Sequence, residues 1–220
     1  MKIFVARISF ILLQFIVVCD GHGQSYSGIV DTSALPQMGP SHYQDEYDID
    51  APVHPEAWAK QKSGMHVAFG SEDTLYFRTE VPQLKNENTL WDATGWRGER
   101  LNAQIVVWSP DTLQQVRFTI SDLKNAKGKV LSKQNLQLNK VCYVLANFPY
   151  GSPEPNCNGT PYKNGFLMPD RFAPMASGVD RFDVPGKTVR PVWLSLNIPR
   201  DAEAGTYNGT VDVQSKNAHA

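Results

Sequence analysis

The chain is poor in the features that announce a particular chemistry. It has three cysteines and five histidines in 220 residues, too few and too scattered for a zinc site. Its formal net charge is −1, so no surplus of positive charge draws it to nucleic acid or to an anionic membrane. The apolar run from Ile8 to Val18 is interrupted by Ser9 and Gln14 and is too short for a stable membrane span. There is no HExxH pair, no phosphate-binding loop, no GxGxxG and no GxSxG elbow. Metal, nucleotide and serine-hydrolase chemistry thus have no motif to rest on, and no cofactor is expected.

What is present begins with an amino-terminal leader. Lys2 and Arg7 precede the apolar run, and Gly21 and Gly23 stand where a signal peptidase requires small residues. Residues 1–23 are therefore expected to be an export signal cleaved before Gln24, leaving a periplasmic or extracellular protein. The rival is lipidation at Cys19, but Val18 is larger than the small residue normally found before such a cysteine. Export would leave two cysteines, Cys142 and Cys157, with 14 residues between them. In an oxidising compartment the pair can form a disulfide, a closure that stabilises by roughly 3 kcal/mol on chain entropy. The other reading is two independent thiols, one on a strand and one in a loop.

Beyond an irregular lead-in over 24–53, alternation dominates. Val192, Leu194, Leu196 and Ile198 alternate with Trp193, Ser195 and Asn197, and Tyr207, Val211 and Val213 alternate with Asn208, Thr210 and Asp212. Pro199, Asp201 and Gly205 turn the chain between them. Ala103, Ile105 and Val107 share one strand face, and Val116, Phe118 and Ile120 another. Ala126–Lys129 reads as a hairpin turn, and 141–148, apolar on both faces, as a central strand. His54–Lys62 reads as a short helix, and His66–Pro82 as strands around a Gly-Ser-Glu-Asp turn. The expected fold is an all-β antiparallel sandwich over 54–215 with a short tail at 216–220. The stretch 149–190, rich in proline and without a strong period, is expected to be a long irregular loop packed on the sandwich.

Candidate chemistry is thin. Asp45-Glu46 lies in an acidic run and Glu72-Asp73 in a turn, where carboxylates face water, so neither is assigned a catalytic role. Trp108 and Trp193 carry more information. Each lies on the side of its strand opposite the aliphatic residues, so both are expected to point away from the core. Either the 149–190 loop covers them, or they form a docking surface for another domain, or they form a platform for a sugar ring. Their mid-sheet positions favour docking over sugar binding.

Two segments carry a resemblance. Thr188–Val213, reading TVRPVWLSLNIPRDAEAGTYNGTVDV, resembles the closing strands of the amino-terminal β-sandwich of glycoside hydrolase family 123. Trp96–Ser109, reading WRGERLNAQIVVWS, resembles an earlier strand of that domain, and HVAFGSEDTLYFRTEVP and NGFLMPDRF agree more weakly. The resemblance covers roughly residues 50–215. It implies a partner: family members are β-N-acetylgalactosaminidases whose adjacent Asp-Glu pair works in a (β/α)8 barrel after the sandwich, with help from the substrate's own acetamido group. No residue here matches that pair, and the barrel is expected to be absent from this chain. The resemblance thus implies a non-catalytic domain bracing a catalytic barrel. The alternative is a free-standing carbohydrate-binding module whose partner is a glycan.

Overall fold

A computed structural model of the chain describes residues 2–5, 29–31, 54–84, 88–146 and 164–218. Within these, two sheets face one another and helix is confined to short pieces. The strands are β1 (Lys2–Val5), β2 (Ile29–Asp31), β3 (His66–Gly70), β4 (Leu90–Trp91), β5 (Arg100–Ser109), β6 (Leu113–Ile120) and β7 (Leu123–Asn125). They continue with β8 (Val130–Leu131), β9 (Leu136–Ala146), β10 (Asn164–Met175), β11 (Phe182–Val184), β12 (Thr188–Asn197) and β13 (Tyr207–Gln214). Helix α1 spans Pro55–Trp58, with proline at its first position, where the missing N–H costs nothing.

One sheet runs β2-β10-β9-β12-β5-β3, and the other runs β11-β6-β13-β1-β4 with β7 and β8 attached beside β13. All pairings are antiparallel except β1 with β4. The alternation in the sequence now has a location. Ala103, Ile105 and Val107 of β5 and Val192, Leu194 and Leu196 of β12 point between the sheets. They meet Val116, Phe118 and Ile120 of β6 and Val211 and Val213 of β13 in one apolar layer. The expected central strand is β9, which pairs with β10 on one side and β12 on the other. The hairpin turn joins β7 to β8, closed by the Gly128 N–H donating to Asn125 O at 3.0 Å.

Three expectations need correction. The stretch 149–190 is not one loop, because it contains the twelve residues of β10 and the three of β11. Its prolines concealed the strand: Pro169 and Pro174 both lie in β10. They are tolerated because β2 reaches only Asn164–Phe166. Along the rest of β10 the side facing away from β9 carries no described strand, and a residue without an N–H forfeits no ladder bond there. The lead-in is not wholly irregular, since it contributes β2. And the segment after the turn at Glu72-Asp73 is no strand. Residues 74–82 instead cross the outer face of the six-stranded sheet as an extended cover.

That cover is stitched to the sheet by side chains as much as by backbone. Gln104 on β5 donates through Nε2 to the carbonyls of Ser71 and Thr74, each at 2.8 Å. The Tyr143 hydroxyl lies 2.8 Å from Tyr76 O and 3.0 Å from Val189 O. The Val189 N–H donates to Arg78 O at 2.7 Å. Under this cover sits a second apolar cluster of Trp58, Ala68, Tyr76, Val106, Trp108 and Val189. Tyr76 is closed in so tightly over Gly70 that a Cβ there would fall 2.2 Å from its hydroxyl oxygen. Burial raises the Tyr76 pKa, against the opposing pull of hydrogen bonds with Thr74 and Ser71.

The start of β3 is fixed by one exposed carboxylate. Asp111 accepts from Ser63 Oγ at 2.6 Å and from the Gly64 N–H at 3.0 Å. These two bonds, helped by the charge of His66, hold its carboxyl below the usual aspartate range.

Candidate functional site

The outer face of the six-stranded sheet is closed over β3, β5 and β9, where Asn139, Val141 and Tyr143 are buried, and is more open at the β10 edge, where Phe172 and Pro174 are exposed. The boundary between the two regions forms a cleft of about 250 Å³. Trp193 of β12, Val141 of β9 and Phe172 of β10 lie along its sheet side. Glu72 of the turn, Leu75 of the cover and Asp170 of β10 also line it.

The floor is aromatic and fixed. The rings of Phe172 and Trp193 touch with centroids 5.2 Å apart and planes tilted by 40°. Phe172 is 48% exposed, unusual for a phenylalanine in the body of a strand. The Trp193 indole N–H donates to Asn102 Oδ1 at 3.2 Å, and the same oxygen accepts from Ser195 Oγ at 2.8 Å. The indole therefore cannot swing freely about its side-chain torsions.

The rim is acidic, and a backbone irregularity aims one of its acids. On β10, Pro169 pairs with Tyr143 but Arg171 pairs with the next residue of β9, Cys142. Asp170 is the extra residue of a β-bulge, a device that re-aims a side chain out of the ladder. Glu72 lines the same cleft from the turn that Gln104 pins. Both carboxylates are exposed. A general acid for glycoside cleavage needs an apolar, desolvating seat, and neither has one.

A larger groove of about 550 Å³ lies on the far side of the cover, between the end of β3 and Leu75–Leu84. Its walls include Phe77, Val81, Pro82 and Leu84 with Glu80 and Asn88, and no pair of carboxylates faces across a ring platform there.

The residues singled out from sequence fall in different places. Trp193 lines the cleft. Trp108 does lie on the outer face, but at 1% exposure it is closed to any partner. Among the described residues its cover comes largely from 58–66. His66 stacks on it at 5.4 Å and 16°, Gln61 Oε1 accepts from its indole N–H at 3.3 Å, and Trp58 packs beside it. Cys142 is a buried free thiol on β9, while Cys157 lies outside the described residues. Phe172, Asp170 and Glu72 join Trp193 only in three dimensions. Among the described residues no group of three or more His, Cys, Asp or Glu is arranged to hold a metal ion. Nor is any helix long and apolar enough to cross a membrane.

No curated protein matches the chain. Among solved structures, a family 123 glycoside hydrolase from Clostridium perfringens, described for its glycolipid glycan hydrolysis, is similar at 23% identity and a TM-score of 0.56. The likeness covers 72% of this chain but 25% of that one, so the chain spans a small part of the enzyme it resembles. Residues 69–215 match the family described as the glycoside hydrolase 123 N-terminal domain. That match covers most of the chain, from the end of β3 to just past β13, and this protein belongs to the glycoside hydrolase 123 N-terminal domain family.

Proposed function

We propose that this chain is the non-catalytic amino-terminal sandwich of an exported glycoside hydrolase 123-type protein, and that it braces a catalytic domain. The observation that carries the reading is the match over residues 69–215 to a domain that is by description the N-terminal part of such enzymes. The site geometry supports it. Glu72 and Asp170 sit on a solvent-exposed rim, and among the described residues no Asp or Glu is buried.

The experiment is an activity assay on the purified 220-residue chain joined to a reading of the transcript. Aryl β-N-acetylgalactosaminides should release no aryl alcohol, and the coding sequence should continue in frame past Ala220 into a (β/α)8 domain. Sustained release that is abolished by Glu72→Gln or Asp170→Asn would instead make this chain catalytic. A stop codon directly after Ala220 would remove the bracing role.

Export makes a separate, structural demand. In the full chain β1 pairs with β13, Lys2 opposite Asp212 through Val5 opposite Gly209. Cleavage before Gln24 would remove β1 and leave that edge of β13 open. Amino-terminal sequencing of protein recovered outside the cytoplasm should read from Gln24. A chain that begins at residue 1 or 2 would show that β1 is kept as part of the sheet and that the leader reading is wrong.

A further inference from the structure

We propose that the cleft between Glu72 and Asp170 is a saccharide-binding subsite, with Trp193 and Phe172 as the floor on which one neutral pyranose ring stacks. The proposal takes the accessory-domain reading as its setting but stands on the geometry of the cleft.

A pyranose has an apolar face of C–H groups and a belt of hydroxyl donors. It therefore binds where an aromatic surface lies beneath acceptors. The cleft supplies both. Phe172 offers the exposed ring surface, and Trp193, in contact with it at a 40° tilt, braces it from the sheet. They leave no gap between their faces in which a cation could be boxed, as an aromatic cage requires. Glu72 and Asp170, both lining the cleft, carry only acceptor oxygens, suited to sugar hydroxyls.

Trp193 and the backbone that carries the two acids are held before a ligand arrives. Trp193 is tethered to Asn102, and that tether is shared with Ser195. The turn carrying Glu72 is pinned by the two bonds from Gln104. Asp170 is set apart from the ladder by the bulge between Pro169 and Arg171. Preorganisation of this kind lowers the ordering cost of binding. A sandwich that needed only to protect its sheet would extend the 74–82 cover over Phe172. Instead the cover stops and leaves that ring half open to water.

Size and charge narrow the ligand. A cleft of about 250 Å³ holds a single sugar unit rather than a run of them, which points to a chain end or a branch. The two carboxylates repel a carboxylated or sulfated sugar. The ligand class is therefore a neutral terminal saccharide, with acidic glycans rejected.

The test is a glycan array probed with the full 220-residue chain, carrying neutral, sialylated and sulfated oligosaccharides, followed by titration of any neutral hit. Wild-type protein should retain neutral glycans and pass over acidic ones. Phe172→Ala should weaken binding by about tenfold or more while the circular-dichroism melt stays within a few degrees, because the lost ring is already half exposed. Asp170→Asn should weaken it less, and should relax the rejection of sialylated glycans. Wild-type protein that retains no neutral glycan would overturn the proposal, as would binding left intact in both variants. If Phe172→Ala instead lowers association with a catalytic domain and no glycan binds, the face is a docking surface and the subsite does not exist. The accessory-domain reading fails on different data, namely hydrolysis by this chain or a stop codon after Ala220, so the two failures cannot be confused.

Discussion

Replacing Trp58 with alanine should cost the domain about 3–5 kcal/mol, the range for losing a fully buried aromatic side chain. Trp58 ends a single turn of helix whose entry offers no side-chain cap. Alone, that turn has no reason to be stable. Its position comes from the indole, which is 1% exposed among Ala68, Tyr76, Val106, Trp108 and Val189. The indole N–H also donates to Thr79 O at 2.8 Å, tying α1 to the cover that crosses the sheet. Truncation would leave a cavity against Trp108 and remove the bond to the Thr79 carbonyl, two losses that both weaken the packing of α1 on the sheet. Urea unfolding followed by tryptophan fluorescence measures the loss. As the internal comparison, Trp96→Ala should change stability by less than about 0.5 kcal/mol, because Trp96 is 65% exposed on the turn before β5. A Trp58→Ala variant as stable as Trp96→Ala would mean that α1 and the cover are not packed on the sheet in solution.

The contrast between these two tryptophans marks where sequence reasoning stops. Period-two alternation announced β5, β6, β12 and β13 because each has one face on the core and one turned away from it, and the residue choice records that difference. The same logic placed Trp108 and Trp193 on the outer face. It could not say that one is buried and the other lines a cleft. That depends on the segments on either side of β3, whose hold on the sheet comes in good part from side-chain bonds of Gln104 and Tyr143 to irregular backbone. Such bonds leave no period to read. β10 was hidden for the opposite reason: Pro169 and Pro174 are strong turn signals, and only its edge position makes them compatible with a strand.

The candidate site was legible in fragments. Trp193 stood out from its strand. Glu72 read as an ordinary turn acid and Phe172 as an apolar residue in a loop. Asp170 gave no signal, since its exposure depends on a one-residue slip between β10 and β9 that no local pattern encodes. The family was legible for a different reason. It rests on the spacing of the Arg-Pro-x-Trp-x-Ser stretch of β12 and of the Ala-Gly-x-Tyr-x-Gly approach to β13, a pattern of residue types along the chain rather than a contact made in three dimensions.

Neighbouring residues on β12 supply the second large expected effect. Leu194→Ala should destabilise by about 2–5 kcal/mol, whereas Trp193→Ala should cost only about 1–2 kcal/mol despite removing a larger side chain. Leu194 is fully buried, pairing with Ala103 on one side and Leu138 on the other, and it points into the layer shared with the second sheet. A cavity there has apolar side chains on every side and little room to collapse. Trp193 is only partly buried, leans on one exposed ring, and can be replaced by water in the cleft. The order of the two losses tests the register itself, because a slip of one residue would carry Leu194 to the outer face and Trp193 into the core. Chemical denaturation of both variants decides it. A greater loss for Trp193→Ala than for Leu194→Ala would reverse the faces of the strand, and with them the cleft on which the binding proposal stands.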